Sequence, residues 1–394
     1  MRNTTIIRIA AIAAVALGVM GTALAAADAV PAGLQGAKGG LKAIVTEAGA
    51  DPTGRTDSTP AIQKCIDRVA AAGGGTVVVP PGEYLISYLS LRPHVRLELA
   101  GGAERATDGW TPEVAVRAMD PAHSAIIRSV EDRKGRWWIF LYNLVPPTAA
   151  TNGFSDVSVS GGVFDCQARC IPAAFACGRN IRFENVVVKD IPNSHAMQID
   201  GCENVVVTNC LFAGYQFGGK FNCLTRETIQ VEPTSPGALY RDLANTPISC
   251  AKKTSIPNRN VSVTGCWFGP SELLGPHLVA LGHHDRPRSC NGLVFAGNMV
   301  VNPLYCGVRL ANVSDVRVEG NTFISTNAAP RLANDSAVVC MWGGAALKPG
   351  EKGVVVCGNR MIIGPESPLR PLWVSAPRKH EVQDDNCCPV QKNK

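Results

Sequence analysis

The chain has 394 residues, 15 cysteines, 6% aromatic residues and a net charge of +6. That mild excess suits an acidic polymer or a cell wall, and without basic-aromatic patterning it argues against a nucleic-acid partner. The low aromatic content disfavours a module that holds sugar only on exposed rings, and there is no Walker motif, dinucleotide glycine motif or cysteine pair with metal-finger spacing.

In chain order, residues 1–25 read as a secretory signal. Arg2 and Arg8 flank and punctuate an apolar run over 9–24 that ends in Ala23-Leu24-Ala25. The expectation is export to the periplasm or beyond, cleavage near Ala25 and no membrane anchor. Residues 26–42 follow as a flexible segment. Export permits disulfides, and Cys166/Cys170, Cys223/Cys250 and the Cys387-Cys388 tail are the cysteines expected to be bonded, with the pairing open from sequence. The odd total leaves at least one thiol unpaired or one bond intermolecular.

Residues 43–363 read as one domain. A short helix is expected at about 59–72, with Ser58 as capping hydroxyl and Pro60 at its first turn. Ile62, Cys65, Ile66 and Val69 form its apolar stripe, and Gly73-Gly74-Gly75 stops it. Such a helix plugs the open end of a stack of repeats. Residues 102–152 fit the repeat poorly, with 137–141 read as strand or loop.

From Asp156 a motif returns seven times, approximately Asn/Asp-x-Val-x-Val-x-(Asn/Gly)-Cys/Gly-x-Phe. Its copies start at Asp156, Asn180, Asn204, Asn260, Asn291, Asp315 and Gly353, successively 24, 24, 56, 31, 24 and 38 residues apart. Each holds a period-2 strand too short to bury its apolar face alone, and stacking solves that problem. Strand-only units predict an all-β parallel β-helix, expected to be a monomer. Cys210, Cys266 and Cys357 are read as a buried column at corresponding places. Residues 364–394 form a C-terminal extension whose prolines at 365, 368, 371 and 377 break regular pairing.

A second strand lies in each unit. Aligning them puts Ala174, Gln198, Gln230, Ala280 and Arg309 in register, with Phe175, Met197, Ile199, Ile229, Val231, Val279, Leu281, Val308 and Leu310 inside. Asp200 and Glu232 then stack on adjacent rungs of the outer face, ~4.8 Å apart. His195 and Glu227 take corresponding strand-start positions on those rungs. His277 falls on the next, where a structural role is favoured. His283, His284, Asp285 and Arg286 close that rung, and Arg309 follows. The loop 233–259, containing Tyr240, Arg241 and Asp242, is read as a wall of the groove.

Glycoside hydrolysis needs one protonated carboxyl and one ionised, and like charges one rung apart push one pKa up. The catalytic set expected is Asp200, Glu232, His283 and His284. His195, Gln198, Glu227, Gln230, Asp285 and Arg309 are expected to bind the polysaccharide, with no metal or other cofactor. The alternative is β-elimination or epimerisation of a uronate, with Arg309 or bound Ca²⁺ stabilising the developing charge. A non-catalytic carbohydrate-binding solenoid is the third reading.

The stretch Asp51-Pro-Thr-Gly-Arg-Thr-Asp-Ser-Thr-Pro-Ala-Ile-Gln63, with Gly73-Gly-Gly-Thr-Val-Val-Val-Pro-Pro-Gly-Glu-Tyr84, resembles the N-terminal cap of pectate-lyase-like β-helix proteins, which include the polygalacturonases. Gly161-Gly-Val-Phe-Asp165 resembles the polygalacturonase entry into the main coil. The resemblance spans most of 43–363 and implies a right-handed parallel β-helix acting on polysaccharide. Near the polygalacturonase Asn-Thr-Asp, Asp-Asp, Gly-His-Gly and Arg-Ile-Lys segments stand Gln198-Ile199-Asp200, Gln230-Val231-Glu232, Gly282-His283-His284 and Val308-Arg309-Leu310. The paired Asp is not matched, which implies a related but different glycan.

Overall fold

A computed structural model describes residues 40–103, 112–130, 138–143, 154–217, 226–233, 256–282, 290–328, 332–342, 349–374 and 381–382. They form a right-handed parallel β-helix in which each coil gives one strand to each of three parallel sheets. The sheets hold 11, 10 and 9 strands among the described residues. The first runs from Leu41–Ile44 to Glu381–Val382 and carries most of the repeated motif. The second runs from Thr53–Asp57 to Arg360–Ile363, and the third from Leu89–Leu91 to Arg370–Val374.

The motif's polar positions have backbone reasons. Asp156, Asn180, Asn204 and Asn260 sit at φ of 53–59°, the left-handed region that Asn and Asp tolerate best among residues with a side chain. Their side chains also join coil to coil. Asn180 Nδ2 donates to Asp156 Oδ1 at 2.7 Å, Asn204 to Asn180 at 3.1 Å, and Asn260 to Asn204 at 3.0 Å. Gly292 (φ 82°) takes the next place, so the fifth copy begins one residue later than Asn291.

The apolar positions fill one continuous core. Every residue expected inside the third sheet, from Phe175 to Leu310, is at most 1% exposed. Phe212, Phe268, Phe295 and Phe323 stack down the axis, the first pair 4.9 Å apart and nearly parallel, a geometry that adds to plain burial.

The cysteines differ from expectation. Cys166 and Cys170 are both free, buried thiols, and Cys170 Sγ donates to the Cys166 carbonyl at 3.4 Å. Cys223, Cys250, Cys387 and Cys388 lie outside the described residues. Cys210 and Cys266 do share a buried column, but Cys357 pairs with Glu319 at the strand end. The column continues instead as Asn298, Asn321 and Asn359, whose amides bond one another and the neighbouring backbone.

Helix α1 (Thr59–Ala71) caps the stack with Ile62, Cys65, Ile66 and Val69 buried. Its cap is not the Ser58 hydroxyl, which accepts from the Asp51 backbone N–H at 2.9 Å. Asp57 Oδ1 accepts the Thr59 N–H at 2.9 Å instead. Asp57→Ala should therefore lower stability by about 1 kcal/mol, read as the loss in a denaturant-unfolding curve. Gly75 closes the turn after α1 (φ 148°), where a Cβ would stand 2.1 Å from the Leu41 carbonyl oxygen.

The region that fits the repeat poorly holds helix α2 (Pro112–Ala118) and the strands Ala125–Ser129 and Trp138–Asn143, which join the second and third sheets. Pairing also persists past Gly364. Arg370–Val374 extends the third sheet although Pro371 lies within it, a place Pro can take because that strand is the sheet's edge.

Candidate active site

The third sheet carries the site on its outer face. Register along it runs Ala174, Gln198, Gln230, Gly282, Arg309 and Cys340. Gly282, rather than Ala280, therefore stands beside Gln230. The long insert before this rung conceals a shift of two residues, which preserves inside and outside but moves the neighbour.

Two residues further along, Ala176, Asp200 and Glu232 are in register. The stacked carboxylates expected from the sequence are thus present. Asp200 is 6% exposed and Glu232 is half-buried. Burial, then the adjacent charge of Glu232, pushes the Asp200 carboxyl well above the ordinary carboxylate range. Of the pair it is the one whose surroundings favour the protonated form. Beside it, Gln198 Nε2 donates to Gln230 Oε1 at 2.7 Å, while Gln198 Oε1 is buried with no partner.

His195 and Glu227 occupy neighbouring rungs as expected. Ala196 and Met197 both enter the core, as does Ile229. Thr228 bonds a histidine that packs among core rings. Two consecutive inward residues turn the preceding one outward, so His195 and Glu227 face the same side as the two glutamines. His195 Nδ1 donates to the Glu227 carbonyl at 2.6 Å and lies 3.9 Å from its carboxylate. Arg309 reaches to 3.5 Å from Glu227 Oε1 across Gly282. A Cβ at Gly282 would come within 2.9 Å of Glu227 Cγ and 3.1 Å of Arg309 Cβ, so the missing side chain lets acid and guanidinium meet.

Glu227 is fully buried, and burial pushes its carboxyl up to about 8 against the opposing pull of Arg309. An acid with a raised folded pKa binds its proton more tightly folded than unfolded. Its contribution to stability is complete below the unfolded value of about 4.3 and is lost as pH rises toward about 8. The wild type should lose stability across that window, and Glu227→Gln should flatten the loss. Urea unfolding at a series of pH values reads this directly.

His277 does not join the groove. Its Nε2 donates to the Phe212 carbonyl at 2.9 Å, so its Nδ1 accepts from the Thr228 hydroxyl at 2.6 Å. Burial lowers its pKa to about 4, and it serves the core. His283, His284, Asp285 and Arg286, with Tyr240, Arg241 and Asp242 of the wall loop, lie outside the described residues. No group of three His, Cys, Asp or Glu among the described residues converges as metal ligands. Sequence reasoning missed Arg226, whose charge opposes the burial of Glu227. It also missed Trp342 and Trp373 on the last rungs of this sheet. An outward Trp two residues beyond the Arg309 column was the available signal.

Three parallel sheets with acids and amides on the outer face of one define a pectate-lyase-like right-handed parallel β-helix protein. The chain belongs to the family described as rhamnogalacturonase A/epimerase, pectate lyase-like, whose model matches residues 44–266. It is similar to plasmin and fibronectin-binding protein A of Streptococcus pneumoniae, 29% identical over 310 residues, which cover 71% of this chain and 38% of that protein. It is also similar to mannuronan C5-epimerase AlgE1 of Azotobacter vinelandii, 27% identical over 204 residues, 45% of this chain and 13% of that protein. The match thus spans well under half the length of either relative. Among solved structures, PfbA, a surface adhesin of Streptococcus pneumoniae, shares the fold with a TM-score of 0.67 and 24% identity, over 87% of this chain and 78% of that one. No helix among the described residues is long and apolar enough to cross a membrane.

Proposed function

We propose that this protein is an exported, monomeric polysaccharide-active enzyme that hydrolyses a glycosidic bond held across the third sheet. The observation that carries this reading is the pairing of Asp200 with Glu232 on adjacent rungs, with Asp200 buried and its carboxyl pushed upward by that burial and by Glu232. Asp200 gives its proton to the leaving glycosidic oxygen as the bond to the anomeric carbon breaks. Glu232 activates the attacking water or attacks the anomeric carbon itself. Gln198 and Gln230 meet sugar hydroxyls, Gln198 Oε1 gaining the donor it lacks, while His195, Glu227 and Arg309 hold the next sugar.

A second reading rests on a specific contact. Glu227 beside Arg309 and His195 supplies a base and a cation of the kind needed to remove the proton α to a uronate carboxylate and stabilise the resulting charge. Similarity to a mannuronan C5-epimerase supports it.

The test is a panel of neutral and uronate polysaccharides, with and without chelator. Reducing ends, ultraviolet absorbance of unsaturated products and the proton NMR of the recovered polymer are read together. Reducing ends without absorbance support hydrolysis. Absorbance means elimination, and an altered polymer without cleavage means epimerisation. Silence across the panel overturns the enzymatic reading in favour of binding alone.

A further inference from the structure

We infer that the groove continues two rungs past Arg309 into an aromatic subsite built by Trp342 and Trp373, which receives a sugar ring of the same polysaccharide. This inference rests on the polysaccharide reading above.

Trp342 follows in register from Ala311 and Trp373 from Cys340. By the same register Trp342 lies in the outward column of Asp200 and Glu232, and Trp373 in the column of Gln198, Gln230 and Arg309. The rung of Trp342 is three rungs beyond Glu232, about 14 Å at the ordinary strand spacing, the reach of a short oligosaccharide. Both indoles are half-buried, packing on the core with part of each ring open to solvent, and their ring centroids are 5.3 Å apart at 53°.

Arg309 physically links this pair to the acids. Its guanidinium lies 5.4 Å from the Trp342 ring centre and 3.5 Å from Glu227. One side chain therefore spans from carboxylate to indole and is held at both ends. The Trp342 Nε1–H is buried with no hydrogen-bond partner. An unpaired buried donor costs about 1–3 kcal/mol, and a small ring shift that brings it to a sugar oxygen recovers that cost. Indoles with one apolar face and one polar handle suit a pyranose, whose C–H face stacks while its oxygens bond at the edge. Charged clusters elsewhere are closed by comparison: Lys189 is held between Asp190 and Glu272 at 2.7 Å each, and Asp165 accepts from Arg128 at 2.9 Å.

The test uses the full chain carrying Asp200→Asn, titrated with hexasaccharides of polygalacturonate, polymannuronate, polyguluronate, xylan and mannan. Indole N–H resonances are followed by NMR, with that of Trp342 assigned from Trp342→Phe. The expected result is a shift of the Trp342 resonance with at least one oligosaccharide and about tenfold weaker binding in Trp373→Ala. Trisaccharides of the same sugar should lose less affinity on that substitution, because they need not reach the subsite. An unmoved Trp342 resonance with every sugar overturns the subsite, as does equal hexasaccharide affinity in folded Trp373→Ala. If Trp373→Ala does not fold, the resonance shift in the Trp342-intact protein decides alone. Tryptophan-dependent binding with a silent activity panel would keep the subsite and sink the hydrolase. Cleavage with indifferent tryptophans would do the reverse.

Discussion

Asp200→Asn and Glu232→Gln should each lower turnover roughly 10³-fold, within the span that one general acid or base supplies, while leaving the fold intact. The two losses arise differently. An amide in place of the Asp200 carboxyl matches the shape and neutrality of the protonated acid but has no proton to give. An amide in place of the Glu232 carboxylate removes the charge that helps raise Asp200 and can neither take a proton nor attack. The stability consequence separates this account from simple structural damage. Asp200 is an acid whose folded pKa is raised, so its contribution falls as pH rises above its unfolded value of about 3.9. Asp200→Asn should therefore be more stable than wild type at pH 7 while being inactive. Circular dichroism melts beside reducing-end assays read both quantities. An inactive variant that is also markedly destabilised would point to a structural Asp200.

Asn321→Ala should be as damaging as the loss of a large core side chain, costing about 4 kcal/mol through several buried groups losing partners at once. Asn321 Oδ1 accepts from the Asn298 backbone at 2.9 Å and from its amide at 3.1 Å. Its Nδ2 donates to the Phe295 carbonyl at 2.8 Å and to Asn359 Oδ1 at 2.9 Å. Alanine leaves two backbone groups and two amides short in a place that water does not reach, since Asn321 is 1% exposed. A calorimetric melt should fall by roughly 5 °C. The exposed ladder residue Asn260, changed to Ala, should cost far less, because water replaces what its side chain gives.

Period-2 alternation was readable because it reflects one requirement, an apolar face on each strand, and each residue it assigned to the inside of the third sheet is buried. The register of Gln198 and Asp200 with Gln230 and Glu232 was readable for a related reason. The bulk of that insert lies before Glu227, so the strand sequences themselves could be matched. For the strand after residues 234–255 that logic weakened. A shift of two residues keeps every apolar side chain inside, so pattern alone cannot tell Ala280 from Gly282 as the neighbour of Gln230.

His277 illustrates a second limit. The structural role favoured for it holds, but nothing local names its partner, the Phe212 carbonyl across the coil. Ser58 illustrates a third, since two adjacent side chains can both cap, and the tertiary contact with Asp51 decides which does. Arg370–Val374 pairs despite its proline because an edge strand leaves that backbone nitrogen unneeded. The Glu227–Arg309 contact was invisible for the same reason as Gly282: it exists only once an empty Cβ position lies between them.

The most direct test of the central claim is a crystal structure of Asp200→Asn with an oligosaccharide of whichever polymer the panel shows to be altered. The expected result is a chain lying across the rungs of the third sheet, with a glycosidic oxygen at the amide that replaces the Asp200 carboxyl, Glu232 at the anomeric carbon and further sugars toward Arg309. A glycan seated on the first or second sheet, or one crossing the third without approaching residues 200 and 232, would contradict it.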